Sequence, residues 1–233
     1  MTEEEISDTA VNFVKTERRK LIEKFANPQV CQPTEHPVSL FMAGSPGAGK
    51  TEVSKRLMEK FDTRKPIRID ADEIRELLPN YTGNNSHIFQ RACSKGVDQL
   101  HDYAIKNNLN IILDGTFSSE KNSFKNITRS IKHGRRIEVY YIYQDPALAW
   151  KFTKTREAKE GRRISKEIFI ETFIAARENV NKAKEVFGDK IELNLIVKDF
   201  DKNLEEIKQN ISNVDMYRPK IYTVDKLKEV INV

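Results

Sequence analysis

Residues Gly44-Ser45-Pro46-Gly47-Ala48-Gly49-Lys50-Thr51 follow the apolar run Val38 to Ala43 and lead into the helical pattern Glu52 to Phe61. Glycines at this spacing let consecutive backbone N–H groups turn toward one anion, and the helix adds the positive end of its dipole. The chain must therefore build a strand, a tight loop and a helix in that order. In such a loop Lys50 reaches the β- and γ-phosphates of a nucleoside triphosphate, and Thr51 holds Mg²⁺ through its hydroxyl. A dinucleotide fingerprint requires GxGxxG, a spacing that Gly44, Gly47 and Gly49 do not meet. A guanine-reading NKxD is absent as well, because Asn181-Lys182 runs on into Ala183-Lys184.

Around this loop the pattern alternates. Short apolar runs at Val38 to Ala43, Pro66 to Asp70, Asn110 to Asp114, Ile137 to Tyr143 and Ile191 to Lys198 read as strands. Helical patterns separate them, including Glu73 to Leu78 and the long Asn85 to Lys106. Strands alternating with helices give βαβ units, hence an α/β fold with a mostly parallel sheet of five strands and helices on both faces. With the loop, that is the P-loop NTPase class in its nucleotide-kinase form. Ahead of it, residues 2 to 26 read as one amphipathic helix opened by a Thr2 and Glu5 capping box, then a Pro-marked linker. The expected division is residues 1 to 37 as N-terminal helix and linker, 38 to 200 as kinase domain, and 201 to 233 as a helical extension with a turn at Arg218-Pro219.

Composition bounds the rest. A chain of 233 residues with 38% hydrophobic and 32% charged residues buries a real core and is neither disordered nor collagen-like. It has no apolar run of the roughly 20 residues that span a bilayer, and the acidic N-terminus lacks the apolar core of a signal peptide. The expected compartment is the cytoplasm, with no membrane partner. Cys31 and Cys93 form neither a CxxC nor a cluster with histidine, so no zinc site is indicated. The net charge of +5 is unevenly placed: Lys151 to Lys166 holds seven basic and two acidic residues, and Lys121 to Arg136 six basic and none acidic.

Candidate catalytic groups stand at strand ends, where ligands collect in open α/β sheets. Strand two ends in Asp70 and Asp72, either of which can accept an acceptor hydroxyl's proton in a kinase or simply cap the next helix. Strand three ends in Ile111-Ile112-Leu113-Asp114-Gly115-Thr116, where Asp114 suits Mg²⁺, directly or through water, or the acceptor. Arg156, Arg162 and Arg163 lie in the basic run 151 to 166, a lid whose arginines can neutralise charge that develops on a moving phosphoryl group.

Taken together, GSPGAGKT, IDADEIRELLPNY, ILDGT and an arginine-bearing lid resemble the zeta-toxin family of bacterial P-loop kinases, over about residues 38 to 186. The most specific element is Asp72-Glu73-Ile74-Arg75 ahead of Leu-Pro-Asn-Tyr. The resemblance implies ATP- or GTP- and Mg²⁺-dependent phosphorylation of the 3′-hydroxyl of the amino sugar in UDP-N-acetylglucosamine. By the same resemblance Lys50 and Thr51 hold nucleotide and metal and Asp72 is the base; Asp70 and Arg75, beside it, are expected to bind substrate. The family's acid one helix before strand three falls on Asp98, its acid-Gly-Thr element on Asp114 and Thr116, and its lid arginines on Arg156 and on Arg162 or Arg163. Asp98 and Asp114 stand where glutamates are common. Many relatives are encoded beside an antitoxin whose helix obstructs the nucleotide site.

Two other readings use the same residues. A kinase acting on a nucleic-acid 5′-hydroxyl or a nucleoside would lay its basic runs along a phosphate backbone. A non-enzymatic nucleotide sensor would leave Asp72, Asp114 and the lid arginines without a role. His36, His87, His101 and His133 share no spacing that makes a metal site, and Trp150 reads as core. Tyr81, Asn84 and Asn85 lie in a polar loop that could reach an acceptor or be an ordinary turn.

Overall fold

A computed structural model describes residues 1–61, 63–161, 163–199, 204–217 and 220–232. Its sheet runs in the order β2-β3-β1-β4-β5-β6, with β1 at Val38–Ala43, β2 at Ile67–Asp70, β3 at Ile111–Asp114, β4 at Arg136–Tyr143, β5 at Glu192–Asp199 and β6 at Leu204–Lys208. The first five strands pair in parallel, and β6 joins β5 antiparallel. β1 is buried from its second residue to its last, as a strand covered on both faces must be.

The sixth strand corrects the expected count of five. It also corrects the expected helical extension, since residues 204–208 extend the sheet. Beyond it, among the described residues, come a 3₁₀ turn at Val214–Met216 and one short helix, α9, at Val224–Val230; the expected turn at Arg218-Pro219 lies outside the described residues. At the other end, the single helix expected over residues 2 to 26 is two: α1, Glu3–Thr16, opened by the Thr2–Glu5 capping box, and α2, Arg18–Phe25. The break falls at Glu17, whose N–H closes α1 on the Phe13 carbonyl while its conformation leaves the helical region.

The remaining helices are α3 (Lys50–Glu59), α4 (Ala71–Arg75), α5 (Gln90–Lys106), α6 (Glu120–Lys132), α7 (Pro146–Glu160) and α8 (Lys166–Phe187). One apolar cluster joins α1, α2 and α5 to β2 and β3 through Val14, Leu21, Phe89, Leu100 and Ile111. A second packs α6, α8 and α9 against β4 and β5 through Tyr141, Phe169, Phe173 and Leu193. Each such side chain contributes about 1.5–3 kcal/mol of burial, so both faces fix the strands. Trp150 is partly buried on the second cluster, edge-on to Phe169 at 5.2 Å. Near the start of β1, the buried Arg135 donates to the Ser39 hydroxyl at 2.7 Å and the Leu109 carbonyl at 2.6 Å. The carboxyl ends of the strands are thereby left to carry chemistry. No helix among the described residues is long and apolar enough to cross a membrane.

Candidate active site

The loop between β1 and α3 is built as its sequence requires. Gly44 and Gly47 have φ of +137° and +73°. A Cβ at Gly44 would overlap the Ile142 carbonyl oxygen, and one at Gly47 that of Ala149. Glycine is thus needed for both conformation and space. Ser45, Pro46, Ala48 and Gly49 complete the turn, and α3 begins at Lys50, directly at its mouth. The Lys50 ammonium donates to the Ser45 carbonyl at 2.6 Å, inside the loop. Such a cradle, with a cation at its centre, fits the polyphosphate of a nucleotide.

A cleft of about 1160 Å³ opens over this loop. It gathers Gly47 to Thr51 with Asp70, Asp72 and Arg75, with Asp114 and Thr116, and with Arg156 and Arg163. Residues from the loop after β1, from α3, β2, β3, α4 and α7 are therefore brought to one place, as expected from strand ends. Arg162 lies outside the described residues. Toward β5 and β6 the wall is Glu52, Arg56, Lys198 and Glu205, joined by Lys198–Glu52 at 2.7 Å and Arg56–Glu205 at 2.6 Å.

Asp70 and Asp72 have separate geometries. Asp70 caps α4, its Oδ1 accepting the Asp72 N–H at 2.8 Å. Burial, and then the neighbouring charge of Asp114, push its carboxyl up to about 6, with Arg68 opposing. Asp72 lies one residue inside the helix and is more exposed. The Arg75 guanidinium holds its Oδ1, and Arg156 Nη2 is 3.9 Å from its Oδ2. Arg75 is itself buried and reaches Gln90 Oε1 at 3.4 Å, so the arm that orients Asp72 is fixed by α5.

Asp114 ends β3 with Oδ2 accepting the Ser54 hydroxyl at 2.7 Å and Arg68 Nη2 at 2.5 Å. Thr51 and Asp114 line the same cleft, and a hydroxyl beside a carboxylate is the hard oxygen donor set that Mg²⁺ takes. Thr116 Oγ1 is 2.8 Å from the Ser118 hydroxyl, and its carbonyl accepts the Gly44 N–H at 3.1 Å. That bond ties the loop after β3 to the phosphate cradle.

Two expectations meet a different geometry. Asp98 is not among the residues lining the cleft. It projects from α5 toward α6 and pairs with Lys125 and Arg129, each at 3.0 Å. Gln90, at the first residue of α5, lines the cleft instead, and eight residues of helix carry Asp98 roughly 12 Å further on. The basic run 151 to 166, expected as a lid, is for most of its length helical: residues 151–160 are the body of α7, so Arg156 projects from a helix. Arg163 is 83% exposed, with Glu157 at 3.8 Å.

Arg68, Ser54, Gln90 and Lys198 were not singled out by sequence. The one available signal was Arg68, a charged residue inside an apolar strand two positions before Asp70, and so on the same face.

A family model described as zeta toxin matches residues 22–214. No curated protein matches the chain. Among solved structures, the PezAT chromosomal toxin–antitoxin system of Streptococcus pneumoniae aligns with 96% of this chain and 86% of its own, at TM-score 0.64 and 17% identity. AvrRxo1-ORF1:-ORF2 with ATP aligns over 91% and 70%, at TM-score 0.60 and 15% identity. A chain of the Pnkp1/Rnl/Hen1 RNA repair complex aligns over 64% and 47%, at TM-score 0.51 and 19% identity. At these identities the likeness is one of fold.

Proposed function

Since the chain belongs to the zeta toxin family of P-loop kinases, we propose that it transfers the γ-phosphoryl group of ATP or GTP to a hydroxyl of a nucleotide sugar, with the 3′-hydroxyl of UDP-N-acetylglucosamine as the acceptor. One observation carries this reading: the phosphate cradle, the Arg75-oriented Asp72 and Arg156 share a single cleft.

In this reading the nucleotide lies along the cradle with its γ-phosphate toward the ends of β2 and β3. The nucleoside then extends toward β4 and β5, because the acids occupy the opposite side of β1. The acceptor oxygen attacks the γ-phosphorus as its proton passes to Asp72, and the bond from the γ-phosphorus to the β–γ bridging oxygen breaks. Lys50 and the loop N–H groups stabilise the charge left on the nucleoside diphosphate, and Arg156 meets charge on the transferring oxygens. Bound with the nucleotide, Mg²⁺ supplies further charge neutralisation at the phosphates. Thr51 and Asp114 would hold it. Arg75 keeps Asp72 from turning away, and Thr116 offers its hydroxyl to the acceptor. The same resemblance proposes a protein antitoxin that covers this cleft, and the cytoplasm as compartment.

The RNA-repair neighbour and the basic runs favour one rival, a kinase for nucleic-acid 5′ ends. Against it, Arg129 pairs with Asp98 and Asp102, Lys125 with Asp98 and Arg136 with Glu192, and Arg135 is buried, so four of the six cations in the run 121 to 136 are already paired or buried. A transfer assay with labelled γ-phosphate, offering UDP-N-acetylglucosamine, other nucleotide sugars, nucleosides and a 5′-hydroxyl oligonucleotide in parallel, tests the proposal. Label on a UDP-sugar supports it. Label on the oligonucleotide or a nucleoside keeps the kinase and replaces the acceptor, and nucleotide binding without transfer on any acceptor favours a sensor.

A further inference from the structure

Parallel pairing of β2 with β3 places Asp70 directly beside Asp114. Both side chains are buried, and two adjacent carboxylates at the floor of a cleft that takes a polyphosphate repel each other and the ligand. Alternation along β2 puts Arg68 on the same face as Asp70, one strand repeat below. Its side chain, 6% exposed, places the guanidinium between the two acids. Nη2 donates to Asp70 Oδ2 at 2.7 Å and to Asp114 Oδ2 at 2.5 Å, while Nε donates to Asp114 Oδ2 at 3.2 Å and to the Ser54 hydroxyl at 3.0 Å. Nη1 meets Glu73 of α4. One buried cation thus joins the acid-bearing ends of β2 and β3 to α3, which starts at the cradle, and to α4, which carries Asp72.

We propose that Arg68 is a positioning residue of the donor site: its fixed positive charge cancels the Asp70–Asp114 repulsion so that a nucleoside polyphosphate can enter, and its planar fork holds Asp114 by Oδ2 so that Oδ1 faces the nucleotide. A lysine in its place keeps the charge but is a single point on a flexible stem, without the fork. Charge and orientation are therefore separable by substitution. The inference rests on the kinase reading above.

The test compares wild type with Arg68→Met, Arg68→Lys and the double variant Arg68→Met/Asp70→Asn. ADP affinity is read by calorimetry, and kcat is read in the transfer assay. Arg68→Met leaves an uncompensated buried acid pair, and ADP should bind roughly tenfold or more weakly. The double variant, with one of the two charges removed, should recover affinity to within about threefold of wild type. Arg68→Lys should retain that affinity within about threefold while kcat falls by about tenfold, the signature of lost orientation. Wild-type affinity and kcat in Arg68→Met, no recovery in the double variant, or full kcat in Arg68→Lys each overturns the proposal. If Arg68→Met does not fold, the other two variants decide it on the same criteria. If none of the three folds, Arg68 serves folding alone and the proposal is overturned. Wild-type protein that binds no ADP would instead remove the kinase reading itself.

Discussion

Arg156 Nη2 stands 3.9 Å from Asp72 Oδ2, linking α7 to α4 across the cleft that holds the phosphate loop. On the opposite oxygen Asp72 is gripped by Arg75. The buried Arg75 holds the carboxylate in place, and the half-exposed Arg156 is the cation that can follow charge as it develops. Arg156→Gln should therefore lower kcat by about 10²-fold or more, as loss of a charge-stabilising group does. ADP affinity should change by no more than about threefold. Steady-state kinetics with calorimetry separates the two, and equal loss in both would return Arg156 to simple binding.

Phe117 has φ of +62°, a left-handed conformation costly for an aromatic residue. It persists because Asn179 of α8 donates its Nδ2 to both the Phe117 and Ser118 carbonyls at 2.9 Å. Asn179→Ala should destabilise the protein by about 1–3 kcal/mol, the cost of unsatisfied buried carbonyls. It should also raise the KM for the acceptor, because Thr116 loses its support. Denaturant unfolding and acceptor titration read the two effects, and an unchanged acceptor KM would detach this loop from substrate binding.

His101 is fully buried, and neither ring nitrogen has a hydrogen-bond partner among the described residues. Burial, then the charges of Arg129 and Arg135, lower its pKa to about 3, with Asp98 opposing. Between that value and the ordinary 6.5, the unfolded chain binds a proton that the folded chain refuses. The contribution is therefore complete above about pH 6.5 and is lost as pH falls below it. Urea unfolding at pH 7.5 and 5.5 should show about 1 kcal/mol more loss in wild type than in His101→Leu. Equal losses would mean that His101 takes up its proton while folded.

The phosphate loop was legible because its glycines and Lys50-Thr51 are set by contact with a ligand, which admits few alternatives. The five parallel strands were legible because burial on both faces leaves near-continuous apolar runs. β6 was not, since Leu204-Glu205-Glu206-Ile207-Lys208 spaces its two apolar residues three apart, as a helix does, and only edge pairing with β5 makes it a strand. Arg68 was passed over because a buried arginine is explained by partners that register supplies, and register is invisible in sequence. Asp98 followed the family's spacing, but α5 turns it toward Lys125 and Arg129. The separation of Asp70 from Asp72 also required the structure, which makes Asp70 the buried cap of α4 and Asp72 the more exposed of the two cleft acids, held by Arg75.

In the proposed mechanism Asp72 takes the acceptor's proton while other residues hold the nucleotide. Asp72→Asn keeps the size of the side chain and removes its basicity. The most direct measurement sets its kcat for phosphoryl transfer beside its Kd for nucleotide. The expected result is a loss in kcat of about 10²-fold or more with Kd within about threefold of wild type. Retained turnover, or a loss of nucleotide affinity that accounts for the whole defect, would contradict the assignment.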